Sequence, residues 1–466
     1  MKDKLSFTIV LLVIVCLLVS PAFAEDVTQG TIVAPTMMLK AAAAPSASAA
    51  LSPVVTEVGK ISWSIDGLGI TTSPSGIIQV EKPAGATVRS AYMVAATTGA
   101  DSYNVQPGDI KINGNPVTFT TMVTSDMGGH NYWTDVTALV KPTIDAAPAG
   151  RVDLTISETP ESIYRIDGEL IVVIFDDPGQ TTDNTVVLMF GAQKRAGDDF
   201  NIGLAEPLDL SDPNLALDFS LAISYSNQDD SAQYSIIDVN SQRITSWAGG
   251  NDEGINTMTN GNLFTVGGLD DSTANPADPN LKPVGNKRYD DELYTLLPFV
   301  KTGDTQIKVH SQNPSMDDNI LFAGLYIRSA TAVVGQGIVL SPASATNIIG
   351  EMHILTAKVQ DDNGNPVAGE EVTLTITDGP NAGITAMGIS DINGIVQFLY
   401  TSSIVGTDTI VASFIDANEK IIYSNAATKT WVDGEIPVPE FPTLALPISM
   451  LLGVVFLIHK LKGKRE

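Results

Sequence analysis

Across most of this chain hydrophobic and polar positions follow a period of two, the spacing that sends successive side chains to opposite faces of a β-strand. Arg151-Val152-Asp153-Leu154-Thr155-Ile156 alternates polar and apolar, and Ala91, Met93 and Ala95 interleave with Tyr92, Val94 and Ala96. Ile110-Lys111-Ile112 and Val117-Thr118-Phe119 flank Asn113-Gly114, a dipeptide suited to the left-handed positions of a tight hairpin turn. Leu170-Ile171-Val172-Val173-Ile174-Phe175 is a continuous apolar run bounded by Gly168 and by Asp176-Asp177-Pro178. It is short and ends in turn residues, so it predicts a strand buried on both faces.

The pattern repeats. Asp135-Val136-Thr137-Ala138-Leu139-Val140 predicts a short apolar turn, followed by Gly150, an alternating strand from Val152 to Ile156, the acidic Asp167-Gly168 and the buried run. Glu292-Leu293-Tyr294-Thr295-Leu296-Leu297, Gly303, Thr305 to Val309, Asp317-Asp318-Asn319 and the apolar stretch Ile320 to Ile327 follow the same order. The pattern predicts jelly-roll-like sandwiches in which the strand before each buried strand pairs beside it. Two sandwiches, over 54–177 and 178–332, are one reading; a single large sandwich is the other. Trp133-Thr134-Asp135-Val136-Thr137, Gly168-x-Leu170-x-Val172-Val173 and Asp317-Asp318-Asn319-Ile320 resemble an uncharacterised domain family of archaeal and bacterial surface proteins over roughly 55–330. The resemblance implies a location and no chemistry.

Residues 341–432 form a separate pattern. Asp361-Asp362-Asn363-Gly364-Asn365-Pro366-Val367-Ala368-Gly369 is rich in turn residues, and Val372 to Ile376 alternates. A second turn, Ser390-Asp391-Ile392-Asn393-Gly394, feeds Val396 to Tyr400, and Gly406 to Ala412 begins another strand. This order resembles the bacterial Ig-like, invasin-type repeats that form stalks of surface adhesins, which implies a spacer projecting a distal domain. The fold class expected is therefore all-β: one or two jelly-roll-like β-sandwiches, then an Ig-like β-sandwich, with terminal signal and membrane-anchor helices.

The ends depart from the strand pattern. Lys2 and Lys4 precede an apolar run from Leu5 to Val19; Ser20-Pro21 breaks it, and Ala22-Phe23-Ala24 supplies small residues for cleavage before Glu25. This is the layout of a signal peptide over 1–24. Residues 25–53 are an Ala/Ser/Pro linker. At the other end a linker over 433–442 leads to an apolar segment over 443–459 and a basic tail over 460–466. The apolar stretch from Thr443 to Ile458 reaches about 24 Å as a helix against a hydrocarbon core of about 30 Å, and the basic tail predicts a cytoplasmic terminus with the large domain outside. Pro439-Glu440-Phe441-Pro442, the apolar segment and the basic cluster together resemble the PEF-CTERM sorting signal of archaeal surface proteins. The resemblance implies recognition by an archaeosortase, removal of the tail and transfer of the new terminus to lipid. A permanent single-pass anchor is the alternative.

Composition narrows the chemistry. The net charge is -27 although both ends are basic, a surface that repels nucleic acid and anionic lipid. The only cysteine is Cys16, inside the predicted signal peptide, so disulfides, cysteine zinc sites and a thiol nucleophile are excluded from the mature chain. No G-x-S-x-G, H-E-x-x-H, P-loop or G-x-G-x-x-G occurs. The four histidines, His130, His310, His353 and His459, are scattered, and nothing in the sequence argues for a Ser-His-Asp triad through His130 or His310. No Asn-x-Ser/Thr sequon is present.

Acidic pairs recur in predicted loops, and calcium takes about six to eight oxygens at about 2.3–2.6 Å. Asp317-Asp318-Asn319 and Asp361-Asp362-Asn363 are the candidate calcium loops; solvated acidic turns are the alternative. Tyr132, Trp133 and Trp247 are candidates for stacking on sugar rings, with core packing the alternative. The function expected is a membrane- or lipid-anchored, non-enzymatic surface protein with a structural, adhesion or ligand-binding role, its partner a surface glycan or an envelope protein. The alternative is a carbohydrate-binding protein or an enzyme acting on polysaccharide. Signal peptidase and archaeosortase would be its processing partners, with the membrane as its support.

Overall fold

In the computed structural model the run Leu170–Phe175 lies within strand Ile166–Asp176, buried on both faces up to its last residue. The reason is a stack of four sheets. The structure describes residues 50–69, 75–97, 103–159, 165–224, 234–249, 264–280, 292–316, 318–361, 364–417 and 419–434. The predicted signal peptide, the sorting motif Pro439-Glu440-Phe441-Pro442, the apolar segment and the basic tail lie outside them. Among the described residues no helix is long and apolar enough to cross a membrane.

The first outer sheet contains strands Ser75–Lys82, Gly150–Glu158, Ile110–Ile112 and Asn115–Pro116, in that order. It packs on an inner sheet ordered Ile61–Leu68, Ile166–Asp176, Thr87–Thr97, His130–Asp135, Thr121–Thr124. A second inner sheet carries Ser52–Gly59, Asn184–Phe190, Asn319–Arg328, Ala216–Ser224 and Phe264–Val266, with Leu293–Thr295 also on Ala216–Ser224. The second outer sheet runs Gln242–Ala248, Ser235–Val239, Gln306–Gln312, Asp199–Leu204, Ala332–Val334. Three apolar cores separate the four layers. The middle core, including Ile61, Val94, Trp133, Val172, Leu188, Phe264 and Phe322, joins the two inner sheets back to back.

The two sandwiches share one topology. Taken in chain order, the strands from Ile61–Leu68 to Ile166–Asp176 occupy the same places as those from Asn184–Phe190 to Asn319–Arg328, with one exception: Thr121–Thr124 pairs with His130–Asp135, whereas its counterpart Phe264–Val266 pairs directly with Ala216–Ser224. Even the turn chemistry recurs. Asn113 and Gly114 sit at φ 50° and 80°, Asn240 and Ser241 at 48° and 65°, the left-handed geometry of a two-residue hairpin. Asn113 accepts from Thr155 N through Oδ1 (2.9 Å) and donates its own N–H to Thr155 O (2.8 Å). Asn240 does the same with Lys308, at 3.0 and 2.8 Å.

Four details differ from the sequence reading. Gly150–Glu158 and Ile166–Asp176 do not pair; they lie in different sheets and face each other across a core. The expected apolar turn after Asp135 is the α-helix Thr137–Ala146, with Val140 and Ile144 buried; Asp135 Oδ1 accepts from Thr137 N at 2.7 Å and starts it. The second arm of the Asn-Gly hairpin is only Asn115–Pro116, although Val117 N still donates to Ile110 O at 2.9 Å just beyond it. Finally, strand Ser52–Gly59 overlaps the predicted linker and pairs with Asn184–Phe190. The chain thus enters in the second sandwich and crosses to the first at Gly59, so the two sandwiches are one interlocked body.

Polar ties set the middle interface. Asn131 Nδ2 donates to Gly191 O (2.7 Å), and Asn319 Nδ2 donates to Asn131 Oδ1 (2.8 Å) and Ser224 Oγ (2.7 Å). Tyr326 OH donates to Ile61 O at 3.0 Å. Close approach does the rest: a Cβ on Gly168 would stand 2.4 Å from Leu68 O and 2.7 Å from Phe264 Cβ.

Residues after the body form an Ig-like sandwich. Strands Gly337–Ser341, His353–Gln360 and Ile395–Tyr400 make one sheet. Ser344–Ile348, Ala427–Val432, Gly406–Ile415, Glu371–Asp378 and Thr385–Ile389 make the other, with Ile421–Tyr423 on Gly406–Ile415. Leu340, Leu355, Leu374, Ile376, Phe398 and Ile410 are among its core.

Candidate functional site: the junction and the half-buried aromatic pair

The aromatic candidates separate by strand geometry. Tyr132 and Trp133 are neighbours on His130–Asp135, so they point to opposite faces. In an inner sheet both faces are covered. Tyr132 enters the first sandwich core, 3% exposed, with its hydroxyl accepting from Val105 N at 3.1 Å. Trp133 enters the middle core, 5% exposed, stacked on Tyr92 with ring centroids 4.9 Å apart and 5.7 Å from Phe190. Neither can receive a sugar; both are core residues. Trp247 differs. It lies on Gln242–Ala248, the edge strand of the second outer sheet, half-buried, with its ring 4.1 Å from that of the half-buried Tyr234.

The two candidate calcium loops lie only in part within the described residues. Asp317, Asp362 and Asn363 lie outside the described residues. Asp318 is buried and its Oδ2 accepts from Ser235 Oγ at 3.0 Å. Asn319 is committed to the middle interface. Asp361 shapes a turn, its Oδ1 accepting from Asn365 N at 2.8 Å, as Asp391 Oδ1 does from Asn393 N and Ile395 N. These described side chains make hydrogen bonds within the fold. Of the histidines, His130 Nδ1 lies 3.2 Å from Thr124 Oγ1 and burial lowers its pKa. His310 Nδ1 meets Asp199 Oδ1 at 2.7 Å on the exposed second outer sheet.

Sequence reasoning missed the junction between the body and the Ig-like domain. Strand Ala332–Val334 of the body is followed after two residues by Gly337–Ser341 of the Ig-like sheet. Lys358 Nζ donates to Leu204 O at 2.6 Å, and Gln360 Nε2 donates to Gly335 O at 2.6 Å and Val333 O at 3.3 Å. Ser341 Oγ donates to Glu206 Oε1 at 3.0 Å and Ser344 Oγ to both oxygens of Asp183 at 3.1 Å. Burial lowers the Lys358 pKa, and Glu206 partly opposes this. A Cβ on Gly203 would stand 1.6 Å from Gln360 Oε1, so a larger residue there would displace the Gln360 side chain from this approach. Beside these contacts lies a cavity of about 500 Å³ whose lining includes Lys60, Asp183, Glu206, Asp209 and Asp212. With a two-residue connection and several direct hydrogen bonds, the junction is a docked interface. Nothing in the local sequence marks it, because each bond joins residues far apart in the chain.

A solved structure, the D0-D1 domain of intimin, aligns with 53% of this chain and 90% of its own length, at 12% identity and a TM-score of 0.17; at that score the superposition carries no argument. Residues 343–430 match the family model of the bacterial Ig-like domain (group 1), within two residues of the 341–432 module read from the turns and strands, and the last sandwich of the described residues is therefore an Ig-like domain similar to that family.

Proposed function

We propose that this chain is an exported, membrane- or lipid-anchored cell-surface protein with a non-enzymatic adhesion or ligand-binding role. The four-layer body presents the binding surface, and the Ig-like domain holds it away from the envelope. The observation that carries this reading is an Ig-like sandwich seated directly against the body, on a two-residue connection, between that body and the predicted anchor. A stiff spacer suits presentation, since a docked module loses less orientational freedom on binding than one on a flexible linker. The acidic surface argues against nucleic acid and leaves a surface glycan or an envelope protein as the partner.

In this reading signal peptidase cleaves before Glu25 and an archaeosortase acts at Pro439-Glu440-Phe441. The test is the intact mass of the protein from native envelopes. The expected product lacks residues 1–24 and the tail and carries added lipid mass. Substituting Pro439→Ala, Glu440→Ala and Phe441→Ala together leaves the tail attached. A native chain that retains Glu466 would remove the sorting step and leave a plain single-pass anchor.

One observation favours glycan over protein as the ligand: the half-exposed Tyr234–Trp247 pair on an edge hairpin, since aromatic faces stack on sugar rings. Trp247→Ala is expected to weaken binding to an envelope-polysaccharide array at least tenfold without moving the unfolding midpoint. Unchanged binding would discard this surface.

A further inference from the structure

Lys429 occupies an inward position. On strand Ala427–Val432 the residues Ala427, Lys429 and Trp431 are buried while Thr428 and Val432 face out, and Lys429 is 0% exposed. Lysine is almost never fully buried without a partner. Its amine lies 4.7 Å from the centre of the Trp431 ring. Tyr400 packs edge-on against Trp431 at 5.4 Å, and His353 edge-on against Tyr400 at 6.0 Å. Asp408, the cross-strand neighbour of Lys429, is engaged elsewhere: its carboxylate accepts from Asn381 N (2.9 Å), Asn381 Nδ2 (2.7 Å) and Trp431 Nε1 (3.0 Å).

The Lys429 amine instead meets Asn347 Oδ1. Asn347 lies on Ser344–Ile348, the strand that runs parallel to Ala427–Val432. Its Nδ2 donates to Glu351 Oε2 at 3.2 Å. A primary amine, a carboxamide and a carboxylate thus stand in contact order, running from the buried Lys429 against the Trp431 ring through the half-buried Asn347 to the exposed Glu351. Burial lowers the Lys429 pKa, with Glu351 partly opposing, which favours the neutral, nucleophilic amine.

We infer that Lys429 and Asn347 become joined by an intramolecular isopeptide bond, with Glu351 as the proton carrier. The lone pair of the neutral Lys429 Nζ attacks Asn347 Cγ. The Nζ–Cγ bond forms and the Cγ–Nδ2 bond breaks. One proton passes from Nζ to Nδ2 by way of the Glu351 carboxylate, and ammonia leaves. No electrons are exchanged with any other group, so neither oxidant nor cofactor is needed.

The bond would tie the strand that enters the second Ig-like sheet to the strand that leaves it, across 82 positions of sequence. Tension applied along the chain would then pass from Asn347 to Lys429 without loading the strands between them. It would serve where a disulfide cannot, since Cys16 is the only cysteine.

The test is mass spectrometry of the purified full chain, intact and after proteolysis. The expected result is a deficit of about 17 Da, the mass of the departing ammonia, and a branched peptide containing both Asn347 and Lys429. Lys429→Arg and Asn347→Ala should each abolish both signals. Glu351→Gln, judged folded by circular dichroism, should leave most of the chain unlinked. Recovery of Asn347 and Lys429 in separate, unmodified peptides from the unsubstituted protein would overturn the bond, whatever the variants do. Full linkage in Glu351→Gln would overturn the role given to Glu351.

Discussion

Trp133→Ala is expected to destabilise the body by about 3–5 kcal/mol, the usual cost of removing a large buried aromatic. Trp133 fills the middle core between the two inner sheets, stacked on Tyr92 and packed near Phe190. Its loss opens a cavity between layers held by few polar ties, which limits relaxation and keeps the cost high. A denaturant titration reads the effect as a lower midpoint with an unchanged slope. A residue that served only to stack on a sugar would be exposed, and its removal would shift stability by no more than about 0.5 kcal/mol. A shift that small would contradict the layered arrangement.

The second large effect is a pH dependence set by Glu169. This residue lies on Ile166–Asp176 at 0% exposure, and its carboxyl oxygens have no hydrogen-bond partner among the described residues. Desolvation raises its pKa from the ordinary 4.5 to about 8. In the unfolded chain the group ionises near 4.5; in the folded chain it keeps its proton to about 8. Between those values the folded state binds more protons, so stability falls as pH rises and the loss is complete above about 8. Each unit of the shift is worth about 1.4 kcal/mol, so the full swing reaches about 5 kcal/mol. Glu169→Gln removes the titrating group. Relative to the unsubstituted protein it should be close to neutral in stability at pH 4 and clearly stabilising at pH 8.5, as read by unfolding midpoints at both pH values. Equal effects at the two pH values would show that Glu169 does not hold its proton in the folded chain.

Much of the fold was written locally. The Asn113-Gly114 turn, the alternation of Val152 to Ile156 and the strand–turn order of the Ig-like domain depend on neighbouring residues, and each is where the pattern put it. The recurring order of the two halves is visible in the structure as one topology used twice. What local pattern does not carry is the third dimension. An apolar run such as Leu170–Phe175 says that both faces are covered and not by which sheet, so facing strands were read as paired ones. Tyr132 and Trp133 have the composition of a binding surface, and only the four-layer stack consigns both to cores. Asp318 reads as a loop acid because carboxylates usually are; its burial follows from Ser235, distant in sequence. The inward place of Lys429 was legible, since Ala427-Thr428-Lys429-Thr430-Trp431 alternates as cleanly as any strand in the chain. Its proximity to Asn347 was not, because a parallel pairing of the first and last strands of a domain leaves no local mark.

The outward placement of the body is read most directly by treating intact source cells with a membrane-impermeant amine reagent and mapping the modified lysines by mass spectrometry. The proposed arrangement predicts that exposed body lysines such as Lys194, whose side chain is 59% exposed, are labelled on intact cells to the same extent as after lysis. Labelling of Lys194 only after the cells are broken would place the body inside and contradict a surface role.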